Sequence, residues 1–157
     1  MSDVNMSQVI VAEAFTELQP DFDKKEVISA LVDSLVTTGK VANQHRDGLI
    51  DGAVQRESVG STGIGQGIAI PHCRTDLVDE IICAFGRCPD GLDFDSLDGD
   101  PVYSVFLLLT PTAMKDEHLS LMKRFAGQIR KEHFGAFLRE TDNPEALISL
   151  LVEFEEA

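Results

Sequence analysis

The sequence predicts an α/β protein of one domain, with a mixed parallel and antiparallel sheet flanked by helices in an α/β/α layering. Short apolar runs typical of strands are interspersed with longer segments whose apolar residues recur every three or four positions, as in helices. A chain of 157 residues is long enough for one well-packed core and too short for two ordinary domains. We expect residues 1–13 to be a mobile tail and residues 14–157 to form the domain.

The first part of the domain is predicted to contain a short strand followed by two helices. The strand covers residues 14–18. Asp23 and Glu26 have the spacing of a capping box, so a helix is expected to begin after Asp23. Its apolar pattern continues to Val36, and Gly39 supplies the stop. A second helix is predicted over residues 44–57, immediately before a glycine-rich loop.

The second part is predicted to contain two strands and three helical segments. The strands cover residues 81–85 and 102–109, and the unbroken apolar run within the second is typical of a central strand covered on both faces. Turn residues between them, including Asp98 and Gly99, indicate antiparallel pairing. Beyond Thr110 and Pro111 the apolar spacing becomes helical, and Asn143 with Pro144 predicts the start of the last helix.

Composition narrows the range of partners and of sites. The formal net charge of −14 argues against nucleic acid, whose phosphates require clustered lysine and arginine, and favours either a partner with a basic face or simple solubility. No apolar run is long enough to cross a bilayer, and the N-terminus has no signal-peptide pattern, so we expect a cytoplasmic protein without membrane insertion. The cysteines lack the spacing of metal ligands, and no metal is expected: Cys73, Cys83 and Cys88.

The most informative segment is Gly65–Arg74, in which a short apolar strand runs into Pro71 and then His72. Proline cannot donate a backbone hydrogen bond, so we expect the strand to end there and to present His72 at its terminus. An imidazole can act as a nucleophile through one nitrogen while a hydrogen bond holds the other. A nucleotide-binding loop is the weaker interpretation, because such loops follow a strand and precede a helix, whereas here the order is reversed.

The run from Arg56 to His72, RESVGSTGIGQGIAIPH, resembles the active-site segment of the fructose/mannitol/nitrogen-type EIIA proteins. These form the EIIA type-2 family of the bacterial phosphoenolpyruvate-dependent phosphotransferase system. The later run Glu117-His118-Leu119 also fits the family, and the resemblance extends from about residue 14 to the C-terminus. It implies the α/β fold already predicted and a phosphocarrier activity.

The resemblance and the chemistry of the residues together predict a role for each candidate residue. His72 would accept a phosphoryl group on Nε2 from an HPr-like protein, with Nδ1 oriented by a backbone group, and His118 and Arg56 would stabilise the transferred group. Phosphoryl contacts are expected from the Thr62 hydroxyl, unless it only organises the turn, and from the compact loop at Gly65 and Gly67. No cofactor is expected to take part.

Three possible functions remain open at this stage. The phosphoryl group could pass to an EIIB domain and then to a sugar, or phosphorylation could control binding to regulatory target proteins. The stretch Gly60–Gly65 looks closest to the nitrogen-regulatory type, which favours regulation. A module that only binds partners is the third possibility, and the presence of both His72 and His118 argues against it.

Overall fold

The chain folds into six strands and six α-helices over residues 4–156, the part that the computed structural model describes. In chain order the elements are α1 (Met6–Val9), β1 (Ile10–Glu17), α2 (Lys24–Thr37), α3 (Arg46–Ser58), β2 (Gly63–Gly65), β3 (Ile68–Ala69), β4 (His72–Thr75), β5 (Ile82–Leu92), β6 (Val102–Pro111), α4 (Lys115–Ile129), α5 (Phe134–Glu140) and α6 (Pro144–Glu156). Single 3₁₀ turns at Asn43–His45 and Thr112–Met114 lead into α3 and α4.

The strands form one mixed sheet, as the sequence predicts. Its order is β1-β5-β6-β3-β2, and β4 also pairs with β6, beyond the end of β3. Strand β6 is antiparallel to β5 and parallel to β3 and β4, while β1 is parallel to β5. The apolar run in β6 therefore lies at the centre of the sheet.

Strand β6 divides the core into two apolar layers. Val105, Leu107 and Leu109 face the layer formed with α2 and α3. Phe106 and Leu108 face the opposite layer, formed with α1, α4, α5 and α6. All five side chains are fully buried, because successive residues of a strand point to opposite faces and both faces are covered. This confirms the predicted central strand and the α/β/α layering.

The helix ends follow the predicted signals. At the start of α2, the Glu26 amide donates to Asp23 Oδ1 at 2.8 Å, and Glu26 Oε1 accepts from the Asp23 amide at 2.9 Å. Gly39 adopts φ +81° just beyond the end of this helix, which its lack of a Cβ permits. Asn143 Oδ1 accepts from the Ala146 amide at 2.8 Å at the start of α6.

The N-terminal segment differs from the predicted tail. Residues 6–13 belong to α1 and to the first half of β1, so the ordered chain begins well before residue 14. Met6 is 1% exposed and packs in the layer of α6, and both the amide and hydroxyl of Ser7 donate to the Glu155 carboxylate. These contacts join distant parts of the chain, which a local sequence pattern does not reveal. Residues 1–3 of the predicted tail lie outside the described residues.

The strand before His72 also differs from the prediction. Strand β3 ends at Ala69, as the proline implies, but pairing with β6 resumes at His72, which lies opposite Leu108. The interruption is bridged by the Pro71 carbonyl, which accepts from the Leu108 amide at 2.9 Å. His72 is therefore the first residue of β4 and not the last of the preceding strand. Its backbone is fixed by the central strand.

The cysteines serve packing in this fold. Cys83 and Cys88 are buried, Cys73 is partly buried, and burial raises the pKa of all three thiols. Across residues 4–156, no group of three or more His, Cys, Asp or Glu side chains is placed to hold a metal ion. None of the helices in that same range is both long and apolar enough to cross a membrane.

Replacing Met6 tests whether α1 belongs to the core. Met6→Ala should lower the free energy of unfolding by about 2–5 kcal/mol, because it leaves a cavity beneath a helix that packs on α6. Met6→Leu keeps most of the volume and should cost less than about 1.5 kcal/mol. Urea unfolding followed by circular dichroism measures both. If Met6→Ala were as stable as the unaltered chain, α1 would not contribute to the core, and the segment would be a loose tail.

Candidate functional site

The candidate site is an open cleft of about 620 Å³ between the C-terminal half of α3, the start of β4 and the first turn of α4, hereafter the His72 cleft. Strand β4 begins here because Pro71 interrupts the pairing next to it. Helix α4 begins here because the chain turns at the end of β6. The residues that line the cleft are Gly52, Gln55, Arg56, Val59, His72, Cys73, Arg74, Lys115, His118 and Leu119.

His72 is held in one orientation by its own backbone neighbourhood. Its Nδ1 lies 2.7 Å from the Ile70 carbonyl oxygen. A carbonyl can only accept, so Nδ1 carries the proton in this hydrogen bond, and in the neutral ring Nε2 keeps its lone pair. Burial lowers the pKa of His72, and Arg56 lowers it further, against the opposing effect of the Ile70 hydrogen bond. A neutral imidazole with a free Nε2 is the form that can act as a nucleophile.

His118 lies beside His72 in the first turn of α4. The two ring centroids are 5.4 Å apart, with an angle of 47° between the ring planes. His118 is only 5% exposed, and its Nδ1 lies 2.8 Å from the Thr110 hydroxyl at the end of β6. Burial lowers the pKa of His118 to about 4, with smaller contributions from His72 and Arg74. Both histidines are therefore neutral at pH 7.

The cleft is locally cationic in an acidic protein. Arg56, Arg74 and Lys115 line it, and no carboxylate is among the described residues that do so, although the chain as a whole has a net charge of −14. Arg56 lies in the last turn of α3, where it donates through Nη1 to the Gly60 carbonyl at 2.8 Å. Positively charged donors around a neutral nucleophile favour an anionic group such as a phosphoryl group.

Exposed apolar side chains flank the cations. Val59 is 79% exposed just beyond α3, and Leu119 is 54% exposed on α4. Both line the His72 cleft. Large apolar side chains beside a reactive group can provide the centre of a protein–protein contact, whereas a small ligand would be expected to bury them in a closed pocket.

The structure does not bring the three predicted loop contacts into the cleft. Gly65 and Gly67 belong to the tight turn between β2 and β3, with φ values of +98° and +75°, and lie against Asp98 and Tyr103. Since Gly67 precedes His72 by five residues along strands that both run parallel to β6, the two lie on the order of 15 Å apart. The Thr62 hydroxyl is buried. The glycines therefore serve the turn.

Three polar residues close to the site were not predicted from the sequence. Thr110 contacts His118, and a buried Glu57 carboxylate binds both Thr62 and Lys24. The sequence did contain a clue to Glu57. A carboxylate in the last turn of a helix interacts unfavourably with the helix dipole, so its presence there indicates a further role. The sequence contained no such clue to Thr110 or Lys24, because their contacts depend on the tertiary fold.

Comparisons with known proteins give matches over most of the chain. The family model described as "Phosphoenolpyruvate-dependent sugar phosphotransferase system, EIIA 2" matches residues 10–154. A fructose-specific EIIA component of Haloferax volcanii is 31% identical over 99% of this chain and 100% of its own length. A nitrogen regulatory protein of Pseudomonas aeruginosa is 39% identical over 68% of this chain and 70% of its length. The crystal structure of nitrogen regulatory protein IIA-Ntr from Neisseria meningitidis has a TM-score of 0.80 and 27% identity, covering 92% and 97% of the two chains.

The depressed pKa of His118 predicts a loss of stability in acid. Below about pH 6.5 the unfolded chain binds a proton at this residue, whereas the folded chain does so only near pH 4, so lowering the pH favours unfolding. Between pH 7 and pH 5 this residue should account for about 2 kcal/mol of lost unfolding free energy. His118→Gln should remove that part of the pH dependence, as measured by urea unfolding at both pH values. An unchanged pH dependence would mean that His118 titrates as an exposed histidine.

Proposed function

Because this chain belongs to the EIIA 2 family of the phosphoenolpyruvate-dependent sugar phosphotransferase system, we propose that it is a phosphocarrier that accepts a phosphoryl group on His72. The donor is the phosphohistidine of an HPr-like protein, and the reaction takes place in the cytoplasm. One observation carries the proposal. His72 is neutral, its Nδ1 is bound to the Ile70 carbonyl, and its Nε2 is the nitrogen left for chemistry in a cationic cleft.

Transfer in this proposal is a direct exchange between two imidazoles. The Nε2 lone pair of His72 attacks phosphorus, the bond from phosphorus to the donor nitrogen breaks, and the donor imidazole keeps that electron pair. The protein has little covalent chemistry to perform beyond aligning the groups and neutralising the oxygens. Arg56 and His118 supply the donors. In this proposal the Thr110 hydroxyl, 2.8 Å from His118 Nδ1, donates to that nitrogen, which leaves His118 Nε2–H to donate to the phosphoryl group.

The surface around the cleft suits a transient partner. Val59 and Leu119 offer an apolar contact, and the cations that line the same cleft neutralise the group in transit. Exposed carboxylates on the same helices, Asp51 of α3 and Asp116 of α4, can meet a basic rim on the donor. A carrier must release its partner after each transfer, so we expect a contact burying roughly 1,200 Å² or less, with an association rate that falls as salt rises.

Labelling with phosphoenolpyruvate, enzyme I and a compatible HPr-like protein tests the phosphocarrier proposal. The chain should gain one phosphoryl group that is stable in base and lost in acid, as expected for phosphohistidine, and mass spectrometry should locate it on His72. His72→Ala should gain none. His133→Ala is a matched control, because His133 is an exposed histidine at the start of α5, outside the cleft, and it should be labelled normally.

Two results would contradict the proposal. Equal labelling of His72→Ala would move the acceptor to another residue. A folded wild-type chain that binds the donor without being labelled would favour a module that only binds partners.

The destination of the phosphoryl group is the second part of the proposal. We propose a regulatory role, supported by the resemblance of the Gly60–Gly65 stretch to the nitrogen type and by the likeness to IIA-Ntr over nearly the whole chain. Sugar transport through an EIIB domain is the alternative, favoured by the fructose-specific relative whose full length the chain covers. The two roles share the acceptor chemistry and differ in what binds the phosphorylated and unphosphorylated forms.

Onward transfer separates the two roles. If the role is regulatory, the phosphorylated chain should lose its label to isolated sugar-specific EIIB domains only slowly. Target proteins from the source cell should then distinguish the wild-type chain from His72→Glu, which partly mimics the added charge. Rapid stoichiometric transfer to a fructose-type EIIB domain, with identical partners for wild type and His72→Glu, would establish the transport role instead. His133→Glu controls for the added charge alone.

A further inference from the structure

A buried polar network behind the His72 cleft has no part in the chemistry described so far. Its centre is Glu57, which is 5% exposed and accepts three hydrogen bonds. Its Oε1 accepts from the Thr62 hydroxyl at 2.6 Å, and its Oε2 accepts from the Thr62 amide at 3.0 Å and from Lys24 Nζ at 3.0 Å. A buried carboxylate is costly unless it is paired and hydrogen-bonded, and here every partner is a donor.

The network continues from Thr62 to the nucleophile through two backbone hydrogen bonds. The Ile70 amide donates to the Thr62 carbonyl at 3.0 Å. The Ile70 carbonyl in turn accepts from His72 Nδ1 at 2.7 Å. Thr62 is thus held by Glu57 through its amide and hydroxyl, and it holds Ile70 through its carbonyl. The order of contacts is Lys24, Glu57, Thr62, Ile70 and His72.

Lys24 compensates the negative charge of Glu57 in this network. Its side chain is about one quarter exposed, and besides Glu57 it lies 3.4 Å from Asp95 and 5.3 Å from the centre of the Phe94 ring. It joins α2 to α3 and to the loop after β5, and it neutralises Glu57. The charge of Glu57 still raises the pKa of His72, but it is the smallest of the four contributions to that pKa, which argues that the main influence of Glu57 on His72 is positional.

We propose that Glu57 is a positioning residue for His72, acting through Thr62 and Ile70 to keep His72 as the Nδ1–H tautomer. This inference rests on the proposed phosphocarrier function. A side chain that clamps Thr62 fixes where the Ile70 carbonyl points, and that carbonyl decides which imidazole nitrogen carries the proton. The role also explains why a carboxylate occupies the last turn of α3 against the helix dipole.

Nuclear magnetic resonance of the unphosphorylated full chain tests this directly. The nitrogen chemical shifts of His72 report the tautomer without any transfer reaction. The wild-type chain should show Nδ1–H, and Thr62→Val, which removes the hydroxyl donor but leaves the charge of Glu57, should show exchange between both tautomers. Thr62→Ser retains the hydroxyl and should restore the wild-type signature. Glu57→Asp keeps the charge but has a shorter side chain that no longer reaches Thr62, so His72 should again populate both tautomers. This variant replaces Thr62→Val if Thr62→Val fails to fold.

Single-turnover transfer from the phosphorylated HPr-like protein supplies the second readout. Thr62→Val and Glu57→Asp should be slowed between about tenfold and a hundredfold, since a small displacement of the nucleophile is costly. Thr141→Val is the matched control. The Thr141 hydroxyl is likewise buried and donates to the Leu138 carbonyl at 2.7 Å, away from the cleft. In this variant the tautomer of His72 and the transfer rate should therefore equal those of the wild type.

The outcomes separate this inference from the function on which it rests. If the wild-type chain is labelled on His72 while Thr62→Val and Glu57→Asp keep the wild-type tautomer, the positioning role is overturned and the phosphocarrier function stands. Slower transfer with an unchanged tautomer would also overturn the inference, because the transfer rate would then depend on Thr62 and Glu57 through something other than the tautomer of His72. If the wild-type chain is not labelled, the function fails, and the tautomer shifts still decide whether Glu57 orients His72.

Discussion

The site depends on the hydrogen bond between His72 Nδ1 and the Ile70 carbonyl. This single contact, 2.7 Å long, determines which nitrogen of the ring is free. The fold fixes both of its ends, because Ile70 is bonded to Thr62 and His72 is paired with Leu108 of the central strand. Pro71 lies between the two and gives the chain the short break in pairing that turns the carbonyl toward the ring.

Burial and local charge complete the site in complementary ways. Desolvation lowers the pKa of both histidines, so that one can attack and the other can donate a hydrogen bond without being charged. Arg56, Arg74 and Lys115 then concentrate positive charge at the His72 cleft, where the proposed function requires an anion to be stabilised, against the acidic background of the whole chain. The overall charge alone would have suggested the opposite sign for the site.

The fold could largely be predicted from local patterns, and the site only in part. Capping residues such as Asp23 and Asn143 marked helix starts, and the apolar run in β6 identified the central strand. The presence of α1 and the early start of β1 could not be predicted, because Met6 and Ser7 contact residues of α6, nearly 150 positions away. In the site, the motif identified His72. It did not show that the Thr62 hydroxyl contacts Glu57, because that contact joins a helix end to a loop.

In the proposed function the fold leaves Nε2 of His72 as the accepting atom, so the decisive measurement is which nitrogen carries phosphorus. The chain, labelled with ¹⁵N in its histidines, can be phosphorylated through the HPr-like donor and studied by nuclear magnetic resonance, where coupling between phosphorus and a ring nitrogen identifies the bonded atom. We expect coupling to Nε2 of His72, with Nδ1 still protonated. Coupling to Nδ1 would contradict it, because that nitrogen would have to abandon the Ile70 carbonyl on which the site is built.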